Sequence, residues 1–152
     1  MNPVFGAILV LVAGSLAPAL AQGAGGADPA GLDGFKTPSG NIHCQYFDGG
    51  SDKPPSANVL RCDIRSLANH IPRRPKDCDL DFGHAFEMND RDGSARRLCY
   101  GDTALDDRLP VLAYGASWQR GGMSCKSDQS GVSCVNAKGH GFELSRNAQR
   151  LF

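Results

Sequence analysis

The sequence predicts an all-β fold: a small disulfide-stapled domain of consecutive antiparallel hairpins, arranged as a sandwich or a partly open barrel, with little helix. Three observations carry this prediction. The chain has six cysteines and 19 glycines in 152 residues, and its apolar residues alternate over short runs that turn residues separate. Helical periodicity is weak, and only 64–70 and 103–108 are expected to form one or two helical turns.

The six cysteines predict three disulfides, because an even number of cysteines in a small exported chain is typical of a disulfide framework. The alternative is a metal site, but the sequence has no C-x-x-C pair and no close Cys/His cluster. We therefore predict no metal, no cofactor and no free thiol that could act as a nucleophile.

The register of one hairpin predicts the first disulfide. If 41–47 and 59–64 are paired strands with Cys44 opposite Cys62, then Ile42 faces Ile64 and Tyr46 faces Leu60. Side chains alternate at period two, so these six residues share one face. The opposite face then receives four polar residues, His43, Gln45, Arg61 and Asp63.

The other two disulfides are predicted to join successive cysteines as well. Cys125 and Cys134 become direct neighbours in a symmetrical hairpin whose turn is 128–131. Cys78 and Cys99 are paired mainly by elimination. A simple hairpin centred on Arg91 places Cys99 opposite residue 83, so this bond requires a bulge or a strand end that folds back.

The remaining strands are predicted at 80–82, 95–100, 116–120, 123–127, 132–136 and 141–145. The predicted core consists of large apolar residues from these segments: Phe35, Phe82, Phe86, Leu98, Leu112, Tyr114, Trp118 and Phe142.

The N-terminal sequence predicts that the protein is exported. Residues 4–16 form an apolar run too short to span a bilayer, and Ala19-Leu20-Ala21 supplies the small-x-small site of a signal peptide. We predict a signal peptide at 1–21, a disordered lead at 22–34 and a single domain at 35–152. The mature protein, without the signal peptide, is expected to be periplasmic or secreted, monomeric and without a membrane anchor. Sixteen basic and 16 acidic residues give zero net charge, which argues against nucleic-acid binding.

Several motifs occur in order along the chain: TPSGNIHC at 37–44, RCDI at 61–64, GDT at 101–103 and GHGFELSR at 139–146. This series resembles a family of secreted, uncharacterised bacterial proteins that carry a domain of unknown function. The resemblance covers 35–152 and implies export and the disulfides, but no activity. Two positions depart from the family pattern: Phe82 stands where a tryptophan is common, and Ala113 where a proline usually precedes Tyr114.

His140 between two glycines is the most suggestive polar site, because flanking glycines expose an imidazole and let a ligand approach the backbone. The alternative is a tight structural turn. The aromatic residues Tyr46, Phe47, Tyr114 and Trp118 are candidates for a carbohydrate- or peptide-binding surface, or else for the core. The repeated aspartates Asp77, Asp79 and Asp81 resemble a calcium loop, but the Gly and Glu that such a loop needs are missing, and alternation with Cys78 favours a strand.

Three functional hypotheses follow. The first is an exported binding or interaction module for an envelope protein or a glycan, with His140, Trp118 and Tyr114 as candidate ligand-binding residues. The second is a small hydrolase or metal-dependent enzyme centred on His140, which would need a carboxylate within hydrogen-bonding reach. The third is a structural envelope protein without a discrete ligand.

Overall fold

In the computed structural model, which describes residues 32–50, 56–91 and 93–152, the chain is an all-β sandwich. The described residues form ten strands: β1 (Gly34–Lys36), β2 (Ile42–Phe47), β3 (Val59–Ile64), β4 (Asp81–Asn89), β5 (Arg96–Tyr100), β6 (Ser117–Arg120), β7 (Met123–Asp128), β8 (Gly131–Asn136), β9 (Gly141–Leu144) and β10 (Gln149–Leu151). The fold class is confirmed. Across these ranges there is no helix, so the helical turns expected at 64–70 and 103–108 are wrong.

Each sheet is a simple antiparallel meander. The first sheet has the order β1-β2-β3-β4-β5 and the second the order β10-β9-β8-β7-β6, so every neighbour in a sheet is also a neighbour in the sequence. The sheets pack face to face and do not close into a barrel, which decides between the two predicted architectures. No described segment forms a helix long and apolar enough to cross a membrane.

The structure contains the three disulfides that join successive cysteines: Cys44–Cys62, Cys78–Cys99 and Cys125–Cys134. The first and third link directly opposed residues of β2 with β3 and of β7 with β8, each with Cα atoms 4.0 Å apart. The register predicted for β2 and β3 is the observed one, including Ile42 opposite Ile64 and Tyr46 opposite Leu60.

The two interior disulfides lie in equivalent rows of the two sheets. Each row runs across four strands in the pattern aromatic, cysteine, cysteine, aromatic: Phe35, Cys44, Cys62 and Phe86 in the first sheet, and Trp118, Cys125, Cys134 and Phe142 in the second. The rows face each other, because the rings of Phe35 and Trp118 have centroids 5.7 Å apart.

Both of the features considered for the Cys78–Cys99 bond, a bulge and a chain segment that folds back before the strand, are present. The β4–β5 ladder shifts register between Phe82 and Phe86, and Cys78 lies before β4, in a turn where its N–H donates to the Pro75 carbonyl. The strand interpretation of the aspartate repeat is therefore correct only from Asp81 onwards. β4 is also much longer than the predicted 80–82, because the chain continues past Gly83 through the irregularity.

The core lies between the sheets and includes five of the eight predicted core residues, Phe35, Phe86, Leu112, Trp118 and Phe142. Three predictions are wrong. Phe82 and Leu98 are half-buried because they belong to the β4–β5 edge of the first sheet. Tyr114 is 44% exposed because it lies in a turn before β6 and not in a strand.

The outer face of the first sheet is covered by a segment that we call the strap, residues 101–112. It crosses β3 and β2 and ends beside β1, where the Lys36 N–H donates to Pro110 and the Leu112 N–H donates to Lys36. The polar face predicted for β2 and β3 is therefore partly buried: His43 and Asp63 lie beneath the strap.

The described chain begins before the predicted domain boundary. Gly34, assigned from composition to the lead, is the first residue of β1 and pairs with Gln45. A side chain at this position would meet the Cys44 carbonyl oxygen at 2.0 Å, so glycine is needed for β1 to approach β2. Asp33 is also tied to this sheet, since its carbonyl accepts the Tyr46 N–H. The predicted signal peptide and the lead up to residue 31 lie outside the described residues.

Candidate functional site

A cleft of about 650 Å³ opens where the ends of the two sheets meet; we call it the end cleft. Its first-sheet wall comes from the turn before β2 and the segment after β3, and its second-sheet wall comes from the β7–β8 and β9–β10 turns. Apart from Ile42 and two residues of the β7–β8 turn, Asp128 and Gly131, the lining consists of hydroxyl, amide, aromatic and guanidinium side chains: Thr37, Ser39, Asn41, Ser66, Tyr114, Gln129, Ser130, Ser145, Arg146 and Asn147.

A short hydrogen-bonded turn places Tyr114 at the mouth of the cleft. The Ala116 N–H donates to the Ala113 carbonyl, and Gly115, with φ of +84°, allows the chain to reverse. The Gly115 N–H and the Ser127 N–H then tie this turn to β7. These hydrogen bonds fix the backbone around Tyr114, while the Tyr114 side chain stays accessible to a ligand.

Two further turns bring polar side chains to the same end. The β7–β8 turn presents Gln129 and Ser130. In the β9–β10 turn, the Ser145 hydroxyl accepts the N–H groups of Asn147 and Ala148 and donates to the Ala148 carbonyl, which fixes the tip carrying Arg146. The β9–β10 turn is therefore fixed by the Ser145 hydroxyl, and the β7–β8 turn by the pairing of Asp128 with Gly131.

Some of the polar side chains at this end are available to bind a ligand. Within the described part of the chain, the side chains of six cleft residues make no hydrogen bond or ion pair: Ser66, Tyr114, Gln129, Ser130, Arg146 and Asn147. They offer donors and acceptors in one place. The charges balance, because Asp128 and Arg146 supply one of each sign.

A shallower groove of about 440 Å³ continues from the end cleft onto the outer face of the second sheet, sharing Asp128, Ser130, Gly131 and Ser145 with it. One cross-strand row, Lys126, Ser133, Glu143 and Arg150, lies along this groove. The Arg150 guanidinium donates to Glu143 and lowers the pKa of that carboxyl. The Glu143–Arg150 pair is therefore neutral as a unit.

The three predicted ligand-binding residues do not converge. Tyr114 lines the end cleft, Trp118 is 5% exposed in the core against Phe35 and Tyr46, and His140 lies in the β8–β9 turn. Successive turns of a meander alternate between its two ends, so the β8–β9 turn is at the end opposite the β7–β8 turn. His140 is thus separated from the end cleft by the length of the strands.

The surroundings of His140 are those of a structural turn. Its N–H donates to the Asn136 side-chain oxygen, and its carbonyl accepts the Asn136 N–H. Gly139 has a left-handed φ of +82°, and a side chain at Gly141 would meet the Cys134 carbonyl oxygen at 1.9 Å. The backbone thus explains both glycines of the motif. Among the described residues, the exposed imidazole makes no hydrogen bond or ion pair, so the carboxylate partner that the hydrolase hypothesis requires is missing there.

The residue that organises this turn is Asn136, which sequence reasoning did not single out. Its side-chain oxygen accepts from Lys138 and His140, and its side-chain nitrogen donates to the carbonyls of Asn89 and Gly93 in the first sheet. Asn136 is buried, and its contacts join the two sheets at the end opposite the end cleft.

The polar groups beneath the strap are already partnered. Asp63 accepts from Arg61 at 2.9 Å, from the Thr103 hydroxyl at 3.0 Å and from the Ala104 N–H at 2.8 Å. Arg61 also donates to Asp102 and lowers the pKa of that carboxyl. This cluster holds the strap on the sheet and leaves few groups for a ligand.

A third cleft, of about 530 Å³, lies next to the strap and includes Asp63, Asp81, His84 and Tyr100. His84 is bound through Nδ1 to the Ile64 carbonyl at 2.7 Å, and burial raises the pKa of Tyr100. Because Asp63 is committed to the strap, this cleft has fewer unpartnered groups than the end cleft.

Of the six cleft residues without a side-chain partner in the described part of the chain, only Tyr114 was predicted from the sequence; Ser66, Gln129, Ser130, Arg146 and Asn147 were missed. The turn 128–131 belongs to a predicted hairpin, and a meander order would have placed it at the same end as Tyr114. The turn at 145–148 had no such signal, because β10 was not predicted from the sequence.

Comparison with known proteins gives a family and no function. Neither the curated proteins nor the solved structures contain a match to this chain. The model of a family described as a family of unknown function, DUF6636, matches residues 13–152. This range contains all ten strands, the three disulfides and the end cleft. The chain belongs to the DUF6636 family.

Proposed function

We propose that this protein is an exported binding module that takes a neutral, hydroxyl-rich ligand, namely a carbohydrate, in the end cleft. The observation that carries the proposal is the group of six polar side chains around the cleft that have no partner among the described residues, a group that includes an accessible tyrosine. The polar side chains around Asp63 beneath the strap, by contrast, are used in hydrogen bonds within the protein.

The chemistry of the lining favours a sugar. A sugar hydroxyl both donates and accepts, and the amides of Gln129 and Asn147 and the hydroxyl of Ser130 can do both as well. The Tyr114 ring supplies an apolar face with a polar tip, which suits the C–H face of a pyranose. Since the charges of Asp128 and Arg146 offset each other, a neutral glycan is favoured over a polyanion.

The three disulfides support the proposal that the protein is exported. Three disulfides in a domain of this size indicate an oxidising environment. The apolar run at 4–16 and the site at Ala19-Leu20-Ala21 add the features of an export signal. A module in the periplasm or outside the cell meets envelope glycans there, and we infer that these supply the ligand.

The test compares two exposed aromatic residues. Tyr114 is 44% exposed at the end cleft, and Phe47 is 48% exposed at the opposite end of β2 from the cleft residue Ile42. Purified protein with intact disulfides is applied to an array of neutral and acidic oligosaccharides and to isolated peptidoglycan. Tyr114→Ala is expected to weaken binding about tenfold, the loss of roughly 1.4 kcal/mol of ring contact.

Phe47→Ala is the matched control and is expected to bind like the wild type. Gln129→Ala is expected to weaken binding in the same direction as Tyr114→Ala. Equal binding by the two aromatic variants, or binding to none of the glycans, would contradict the proposal.

A further inference from the structure

The two interior disulfides touch each other across the sandwich. The Sγ atoms of Cys44, Cys62 and Cys134 all lie within 4.8 Å of one another, and all three residues are buried. The sulfur of Cys125, the partner of Cys134, does not belong to this group. One sulfur of the second sheet is thus placed against the disulfide of the first sheet.

This arrangement brings a potential nucleophile to a disulfide. A thiolate exchanges with a disulfide by attacking one of its sulfurs, so the reaction depends on access of the attacking sulfur to the bond. Here access is built into the core, since no chain segment lies between the three sulfurs.

We propose that the core is a site of intramolecular thiol–disulfide exchange that transfers a cross-link from within the sheets to between the sheets. An external dithiol first reduces Cys125–Cys134 to two thiols and is itself oxidised to its disulfide. The Cys134 thiolate then attacks Cys44 or Cys62. A bond forms from Cys134 to the attacked sulfur, the Cys44–Cys62 bond breaks, and the released sulfur leaves as a thiolate that takes up the proton lost by Cys134.

The product ties the two layers of the sandwich together. In the starting protein each interior disulfide joins adjacent strands of one sheet, whereas the product bond joins the first sheet to the second. Inter-sheet disulfides are compatible with β-sandwiches, as immunoglobulin domains demonstrate. The exchange consumes no further oxidant, because one disulfide replaces another.

The third disulfide does not take part. Cys99 is exposed, Cys78 is buried in the turn before β4, and neither sulfur belongs to the group of three. An external reductant is therefore expected to reduce Cys78–Cys99 before the interior disulfides. Alkylation of Cys78 and Cys99 then measures this first stage of reduction separately from the later ones.

The test uses two variants that each leave one interior cysteine without its partner. Cys125→Ser leaves Cys134 next to Cys44–Cys62, and Cys134→Ser leaves Cys125, whose sulfur is outside the group. Both proteins are held oxidised at pH 8.5, near the ordinary thiol pKa, quenched in acid, alkylated and digested. In Cys125→Ser, mass spectrometry is expected to find Cys134 bonded to Cys44 or Cys62 in a major fraction of molecules.

In Cys134→Ser the Cys44–Cys62 bond is expected to stay intact and Cys125 to be alkylated. The proposal is overturned if Cys134 is alkylated as a free thiol in Cys125→Ser, or if both variants rearrange equally. The wild type gives a second measurement that does not depend on how the variants fold. It is reduced stepwise with dithiothreitol, and molecules with Cys125 alkylated and Cys134 still in a disulfide are expected; their absence at every step overturns the proposal too.

Discussion

The two sheets have the same strand order and the same aromatic–cysteine–cysteine–aromatic row, but their outer faces differ. The first sheet is covered on its outside by the strap, which buries His43 and Asp63 with their hydrogen-bond partners. The outer row of the second sheet, from Lys126 to Arg150, is open and lines a groove. The outer face of the first sheet is therefore covered by the protein itself, whereas the outer face of the second sheet presents an accessible polar surface.

The largest expected effect concerns the disulfides of the first sheet. Cys44–Cys62 and Cys78–Cys99 have similar sequence separations, 18 and 21 residues, so the chain-entropy contribution is about 3 kcal/mol for each. Replacing both cysteines of one bond by alanine should cost about 3 kcal/mol for Cys78–Cys99. For Cys44–Cys62, in which both cysteines are buried whereas Cys99 of the other bond is exposed, it should cost about 4–5 kcal/mol, because a larger cavity is added. Urea unfolding measures both; equal losses would show that burial of the sulfurs contributes nothing.

The strap itself should depend on Asp63. Asp63→Ala removes the acceptor for Arg61, Thr103 and Ala104 and leaves a mostly buried guanidinium with one carboxylate partner fewer. We expect a loss of about 3 kcal/mol in urea unfolding and faster amide exchange in 101–112. On the open second sheet, Glu143→Ala breaks an exposed ion pair and should leave stability unchanged within error. A similar loss in both variants would remove the distinction between the sheets.

Acid should loosen the strap. Hydrogen bonds from Arg108 lower the pKa of Asp106 to about 2, below its ordinary value of 3.8, so its stabilising contribution is full above pH 4 and is lost as the pH falls towards 2. Thermal melting of wild type and Asp106→Asn should therefore differ by a constant amount from pH 7 to pH 4 and converge near pH 2. A difference that grows in acid would reverse the assigned sign.

The smallest effect concerns a polar group inside the second sheet. The Ser127 hydroxyl is fully buried and has no hydrogen-bond partner among the described residues, whereas the buried polar groups of the first sheet are partnered. Ser127→Ala should stabilise the protein by about 1 kcal/mol, because it removes an unsatisfied group without changing the strand. Ser133→Ala, on the open face of β8, should have no effect. Destabilisation by Ser127→Ala in urea unfolding would imply a partner for the hydroxyl.

Local rules predicted the hairpins well. The side chains of Ile42, Cys44 and Tyr46 alternate with polar residues, and a one-residue slip would turn all of them outwards, so the period fixed the register of β2 and β3. The symmetrical spacing of Cys125 and Cys134 did the same for β7 and β8. In both hairpins the information lies within about 20 residues of sequence.

Long-range packing was not predictable in the same way. The strap has no period to reveal that it covers a sheet, so the burial of His43 and Asp63 depends on contacts about 40 to 60 residues away in sequence. Tyr114 was placed both in the core and at a ligand site, because an aromatic side chain gives the same pattern in either place. The neighbouring glycine, which forms the exposed turn, was the cue that separated the two.

The meander order of the strands has a consequence for how the three disulfides form. A chain that crosses a membrane N-terminus first presents Cys44 and Cys62 to an oxidant before Cys78 has emerged, and each later pair likewise appears before the next. In a chain exported in this direction, pairing in order of emergence therefore yields the native set of disulfides.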